Sequence, residues 1–436
     1  MGRAMSFDRA WIFVVLTADA IWLAALAGRQ FGLSSFLYSA AELVNGVLLA
    51  AVLCALASRL VWGRVRRTAR QKAGRATAGA EKARTGGGPA GGTVASQAIA
   101  AAGSVGCAAV FVSTDRGSPV LRSAYSAAGR SGRRGHAIGP GTRFEIGSVT
   151  KIFTGLILAD MAVRKEVDLD TPLGSLLDIP AAGAVTLRSL ATHTSGLPRS
   201  CTGPPLVLLT VHPNPYRDIG LDRVAAALAR KPSLVPGTFR YSNVGYQLLA
   251  AALAAAAGTT WPCLLQQRIC GPLGMTSTGM GPDENAARGH DKAGFPFPYS
   301  DYALLPGAIG LLSTTADLDR FLQVQLDPGS TPLGPAIRLS RTPQAGSPRA
   351  AGLGWRLKIS GDATLAWHEG LTNGFSALLA LIDTPTAPRG LAILTNSPYN
   401  DGLLEVGLKT LSSAQLRLST ASTRKRGIAG RGFRAR

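Results

Sequence analysis

Phe144-Glu145-Ile146-Gly147-Ser148-Val149-Thr150-Lys151 is the stretch from which the rest of the chain is read. A serine and a lysine three residues apart share one face if the segment is helical. Ile152, Phe153, Leu156, Ile157, Leu158 and Met161 continue at helical spacing, which predicts a helix here. Gly147 permits a tight entry. Ser148 is expected in the first turn, where free backbone N–H groups and the positive end of the macrodipole favour a developing negative charge. Lys151, desolvated on the same face, would lose its proton and accept one from the hydroxyl. Serine is a poor nucleophile without such a base. A Ser-x-x-Lys pair also arises by chance, as a capped helix with a surface lysine, so its meaning rests on companions further along.

Two companions stand out. Tyr241-Ser242-Asn243 follows the Pro236-Gly237 turn and precedes a helical pattern from Tyr246. A tyrosine oxygen near a lysine ammonium is a workable acid and base, because the cation lowers the phenol pKa. Asparagine offers both a donor and an acceptor to a substrate amide. The bland alternative is a loop tyrosine whose hydroxyl caps a neighbouring group. The second companion is Trp367-His368-Glu369-Gly370-Leu371-Thr372-Asn373-Gly374-Phe375. Gly370 on an edge strand would let a substrate backbone approach closely, and the N–H groups of Leu371 and Ser148 would form an oxyanion hole. An ordinary hairpin with an exposed histidine is the alternative. His193 and His290-Asp291 invite a Ser-His-Asp reading, but there is no G-x-S-x-G elbow and Ser148 already has a base three residues away. His193, beside Gly196 and Pro198, reads better as a residue tying down a loop. No His, Cys or carboxylate set has zinc-site spacing.

Strand-like runs at 107–113 and 120–126 precede the Ser148 helix, and a short helix is expected at 94–102. Helical patterns follow at 187–196, 224–230, 246–257 and 317–325. Strands follow at 353–359, 363–367, 375–382 and 390–395, then a closing helix at 401–416. The order is therefore sheet, helical lobe, sheet.

Ser-x-x-Lys (Ser148, Lys151), Tyr-x-Asn (Tyr241, Asn243) and a Lys/His-x-Gly triplet (His368, Gly370), in this order, resemble the serine β-lactamase and penicillin-binding protein superfamily. The Tyr-x-Asn form resembles its class C branch. The stretches 190–198, 236–243, 272–275, 307–321 and 370–375 match as well. The chain looks closest to the D-alanyl-D-alanine carboxypeptidase/endopeptidase type. The resemblance implies an α/β (α+β) fold: an antiparallel sheet flanked by helices, with an inserted all-helical lobe. It implies that Ser148 is acylated, that Lys151 and Tyr241 shuttle the proton, and that Asn243 holds the substrate amide. It further implies that the strand from His368 through Gly370 to Leu371 docks the substrate backbone. No metal or cofactor is implied. The substrates implied are peptidoglycan peptides or β-lactams, with β-lactamase, esterase and a non-turning-over penicillin sensor as alternatives. His368 and Glu369 stand where class C enzymes carry Lys-Thr, and histidine is a weaker, pH-dependent anchor for a carboxylate.

The outer segments carry a different message. Residues 1–62 hold two apolar stretches, 10–27 and 36–62, each long enough to cross a bilayer, and they read as a two-helix membrane anchor. Residues 63–93 form a basic Gly/Ala-rich linker, 94–418 the hydrolase domain, and 419–436 a basic tail. The net charge is +21, and 63–84 (eight basic residues, one acid) with the run from Arg424 (six basic) account for +13 of it. Basicity in linker and tail argues against a folded nucleic-acid-binding face. The expected location is the bacterial cytoplasmic membrane with the domain outside, although the basic linker argues by the positive-inside rule for the cytoplasm. Cys54, Cys107, Cys201, Cys263 and Cys270 show no metal spacing; they read as buried thiols, with a disulfide among the last four as the alternative.

Overall fold

The computed structural model describes residues 106–114, 122–129, 137–201, 220–230, 236–291, 294–299, 306–344, 351–398 and 402–412. The apolar segments 10–27 and 36–62, the linker 63–93, the helix expected at 94–102 and the tail lie outside them. Among the described residues no single helix is long and apolar enough to cross a membrane.

Six antiparallel strands form the main sheet: β1 (Gly106–Ser113), β2 (Arg122–Gly129), β8 (Arg356–Ser360), β9 (Ala363–Leu371), β10 (Ser376–Asp383) and β11 (Arg389–Thr395). Their spatial order is β2-β1-β11-β10-β9-β8, so the first and last strands of the domain are neighbours. Val110 lies opposite Ala392, and Leu379 pairs with both Ala392 and His368. Side chains alternate between faces. Val110, Val112, Leu379, Leu381 and Leu394 point to the main core, while Cys107, Ala109, Leu378, Leu391 and Ile393 form a second core with Leu403 and Leu411 of the 403–412 helix. With both faces covered, the inner strands are nearly continuous apolar runs, and this makes them legible in the sequence.

Everything from β3 (Phe144–Glu145) to β7 (Leu311–Ser313) is inserted between β2 and β8. Helix α1 (Thr150–Val163) is buried from Thr150 to Met161. A helix that is apolar all round belongs inside a protein. Around it lie α2 (Leu187–Ala191), α3 (Leu221–Ala229), α4 (Asn243–Ala256), α5 (Trp261–Leu273), α6 (Pro306–Ile309), α7 (Thr315–Leu326) and α8 (Gly334–Arg341). Phe153 of α1 packs on Phe321 of α7 at 4.7 Å between ring centroids. A second, three-stranded sheet orders β3-β7-β4, with β4 (Gly279–Met280). Its strands are two or three residues long, too short to show an alternating pattern. A two-stranded ribbon of β5 (Gly289–His290) and β6 (Pro296–Phe297) completes the chain.

Two local expectations change. Ser148 is not in the first turn of the α-helix: Gly147–Val149 form a separate 3-10 turn and α1 starts at Thr150. Gly147 adopts φ +51°, a turn that a regular helix start does not need. The strand expected from 353 begins at Arg356, because Gly354 takes φ +83° and lies against the backbone of Lys151. Of the cysteines read as buried thiols, Cys107 and Cys270 are buried, whereas Cys263 is exposed, and no disulfide joins Cys107, Cys201, Cys263 and Cys270 to one another.

Helix α1 can approach the 353–354 segment only because Gly155 has no side chain. A Cβ there would sit 2.2 Å from the Leu353 carbonyl oxygen. Alanine is intrinsically better in a helix by ~1 kcal/mol, yet forced overpacking costs about 1–3 kcal/mol. Gly155→Ala is therefore expected to lower stability by about 1 kcal/mol in urea unfolding, the overpacking cost less the propensity gain. Gly279→Ala, whose Cβ would meet nothing within 4 Å, should change it by less than ~0.5 kcal/mol.

Candidate active site

The 3-10 turn holding Ser148 is pressed against the end of β9 by two glycines. A Cβ on Gly147 would lie 2.7 Å from the Leu371 nitrogen, and one on Gly370 would lie 1.9 Å from the Ile146 carbonyl oxygen. Glycine is required wherever two backbones come this close. The contact brings the Leu371 N–H to the turn that carries Ser148, and Leu371 itself is 48% exposed at the strand end.

Lys151 is completely buried. Its Nζ donates to Ser148 Oγ (3.0 Å), Asn243 Oδ1 (2.9 Å) and the Ala308 carbonyl in α6 (2.7 Å). Burial holds its pKa well below the usual lysine range, and the Arg199 and Arg356 charges push in the same direction. A neutral amine has two N–H donors and one lone pair. With the donors on Asn243 and Ala308, the lone pair is left for the Ser148 hydroxyl. A protonated amine would donate to all three acceptors. The same cage therefore accommodates lysine before and after it takes a proton.

The Tyr241 hydroxyl donates to Ser148 Oγ at 2.8 Å. Its loop is held by the 193–199 segment. His193 sits at φ +62°, uncommon for a non-glycine residue. Its carbonyl accepts from Arg240 N (2.7 Å), and its Nδ1 accepts from Ser242 N (3.1 Å). That bond places the imidazole proton on Nε2. The His193 ring packs on Tyr241 (4.4 Å between centroids) and Tyr246 (5.1 Å). Ser242 caps α4 by accepting from Gly245 N (2.8 Å) while it donates to the Pro198 carbonyl (2.6 Å). Asn243 is consequently delivered to Lys151 as the first residue of the helix.

The structure thus brings Ser148, Lys151, Tyr241, Asn243, Gly370 and Leu371 together. His368 is close but faces inward. It is 3% exposed, its Nδ1 bonds the Glu369 carbonyl oxygen (2.8 Å), and burial followed by the Lys151 and Arg356 charges pushes its pKa down to about 3. The imidazole is therefore buried, not exposed as the plain-hairpin alternative has it. Glu369 lies 3.4 Å from Arg356 Nη1. His193 ties down a loop and is not the serine's base. His290 is elsewhere, bonded to Asn396. The sequence reading missed Arg199 and Arg356, whose guanidinium carbons lie 5.2 and 6.0 Å from the Tyr241 ring centroid. Only the β8–β9 register, with Arg356 opposite Trp367, points to the latter.

The His368 environment has a measurable consequence. Its folded pKa lies below the ordinary ~6.5, so between pH 6.5 and 3 the unfolded chain binds the proton that the folded one refuses. The stability it contributes is complete above pH 6.5 and is lost as pH falls towards 3. His193, also depressed chiefly by burial, adds to the same limb. His368→Gln should reduce the acid-side slope of unfolding free energy by about 1.4 kcal/mol per pH unit, read from urea melts between pH 6 and 4.

The Beta-lactamase family profile matches residues 69–412. A beta-lactamase of Pseudomonas fluorescens is 28% identical over 302 residues, 59% of this chain and 80% of that protein. The D-alanyl-D-alanine-carboxypeptidase/endopeptidase AmpH of Escherichia coli (strain K12) is 30% identical over 195 residues, covering 42% of this chain but only 48% of AmpH. The crystal structure of a beta-lactamase from Sulfitobacter sp. EE-36 superposes with a TM-score of 0.61 at 25% identity, over 74% of this chain and 95% of that one. The chain belongs to the Beta-lactamase family, and it is a serine hydrolase.

Proposed function

We propose that this protein is an acyl-enzyme hydrolase that cleaves D-amino-acid peptide bonds of peptidoglycan, with weak or no hydrolysis of β-lactams. The observation that carries the reading is the position of Ser148 Oγ, 3.0 Å from a fully buried lysine amine and 2.8 Å from a tyrosine hydroxyl. In the first step Ser148 Oγ bonds to the scissile carbonyl carbon and its proton passes to Lys151 Nζ. The oxyanion is met by the N–H groups of Ser148 and Leu371. The C–N bond then breaks, and the departing amine takes a proton from Tyr241, which is resupplied from Lys151. In the second step water attacks the ester, gives its proton to the Lys151–Tyr241 pair, and Ser148 leaves with a proton restored. Asn243 spends its Oδ1 on Lys151, leaving its NH2 donors for the substrate carbonyl.

The peptide reading is favoured over efficient β-lactam hydrolysis because His368 is neutral and buried where class C enzymes place a cationic lysine. The relative AmpH supports it by name, the Pseudomonas fluorescens enzyme supports the alternative, and substrate profiling separates the two. We place the enzyme outside the cytoplasmic membrane, where such peptides lie, held by the apolar segments 10–27 and 36–62; protease protection of spheroplasts tests that placement.

The protein incubated with a fluorescent penicillin should gain one adduct by mass spectrometry, and Ser148→Ala should gain none. Tyr241→Phe and Lys151→Met should each slow acylation by at least ~10²-fold. An N-acetylated D-Ala-D-Ala peptide should release D-alanine faster than penicillin is hydrolysed. Absence of both adduct and peptide turnover in the wild type would sink the proposal.

A further inference from the structure

Three basic groups surround the Tyr241 ring. Lys151 Nζ lies 5.0 Å from its centroid, the Arg199 guanidinium carbon 5.2 Å and that of Arg356 6.0 Å. Their charges are used differently. Lys151 is enclosed, and burial disfavours its charge. Arg356 has the Glu369 carboxylate at 3.4 Å. Arg199 is exposed, and it is ion-paired to no other described residue. The same holds for Arg240, the residue before Tyr241, whose Nη1 donates to the Gly196 carbonyl (3.4 Å). The edge of the site formed by the 193–199 segment and the Tyr241 loop is therefore positive and open to solvent.

Arg199 is held in place although it is exposed. Its carbonyl accepts from Asn243 N (3.0 Å), and the Pro198 carbonyl before it accepts from Ser242 Oγ (2.6 Å). Its guanidinium lies over the Tyr241 ring. Such a cation–π contact leaves the in-plane N–H groups free. A guanidinium with unspent donors binds a carboxylate through two parallel N–H bonds. A side chain that is already ordered also loses less freedom on binding than one that moves freely.

The part of the substrate that meets Arg199 follows from its tie to Asn243. The scissile oxygen lies at the N–H groups of Ser148 and Leu371. The carbonyl held by the Asn243 NH2 is then that of the preceding peptide bond, on the acyl side. The residue that contributes this carbonyl lies beside Asn243, and its side chain is the one within reach of Arg199.

We propose that Arg199 is a specificity-determining residue: it selects substrates in which the residue before the acylated one carries a carboxylate, and it rejects an ammonium there. The assignment to that residue rests on the acyl-enzyme reading above; the preference of the site for an anion does not.

Three measurements test it. The first compares kcat/KM for N-acetyl-L-Glu-D-Ala-D-Ala and N-acetyl-L-Lys-D-Ala-D-Ala. A preference of at least ~5-fold for the glutamyl peptide is expected, because attraction in one substrate adds to repulsion in the other. It should shrink as NaCl is raised from ~0.1 to ~1 M and the Debye length falls from about 10 to 3 Å. Arg199→Gln should reduce the preference at least ~3-fold, and Arg199→Lys, which keeps the charge, should restore most of it. The second follows adduct formation on Ser148 by α-carboxybenzylpenicillin and α-aminobenzylpenicillin, which carry opposite charges on the acyl side chain. The carboxylate should react faster, with the same dependence on Arg199. The third titrates N-acetyl-L-Glu-D-Ala and N-acetyl-L-Lys-D-Ala into the non-reacting Ser148→Ala protein by calorimetry, and the glutamyl compound should bind more tightly. An equal or reversed preference in the wild type, or one that Arg199→Gln leaves untouched, overturns the proposal. Adducts that form without a charge preference leave the hydrolase reading standing while the role of Arg199 falls. If neither adduct nor turnover appears, the hydrolase reading fails and the calorimetry alone decides whether Arg199 selects an anion.

Discussion

Lys151 is the constraint around which the rest is arranged. An amine with no exposure must either lose its charge or find acceptors on every side, because burying an unpaired cation costs several kcal/mol. Its three acceptors come from three separate pieces of structure: the Ser148 turn, the start of α4 and the carbonyl of Ala308 in α6. The packing of these pieces is fixed by contacts that reinforce one another. Thr154 donates to the Gly307 carbonyl at 2.7 Å, and a Cβ on Gly307 would overlap Ala250 of α4 at 2.4 Å. Local burial and the geometry of the amine are therefore one problem with one solution.

The second element is the absence of side chains at the contacts between backbones. Gly147 and Gly370 let the serine turn and β9 touch, while Gly155 and Gly354 let α1 touch the segment leading to β8. The two pairs seat one helix and its preceding turn against both strands of a single hairpin. This keeps the Leu371 N–H and Ser148 on adjacent segments, the arrangement that an oxyanion site needs before substrate arrives.

Electrostatics then acts on a rigid frame. Arg199 and Arg356 stand near the Tyr241 ring and disfavour charge on Lys151 and His193. His368, which a motif comparison places at the carboxylate-binding position, is buried and held neutral. Positive charge at the cleft is supplied instead by arginines from the neighbouring strand and the 193–199 segment. A single residue type at a motif position thus says less about the site than the solvent it is given.

The sequence by itself determined the pairing of Ser148 with Lys151, the long strands of the main sheet and the helical insert between them. These are written in spacing among near neighbours: i,i+3 on a turn of helix, and apolar runs four to eight residues long. Tyr241 and Asn243 were legible for the same reason, since a turn, a cap and a helix start follow one another in the chain. The tertiary structure alone decided that Lys151 is buried, that His368 is neutral, that Arg356 reaches Tyr241, and that Ser148 precedes the α-helix in a 3-10 turn. The short β3-β7-β4 sheet belongs with these, for its strands come from three distant places in the chain. Desolvation and charge proximity are sums over residues far apart in sequence, and no local pattern encodes such a sum.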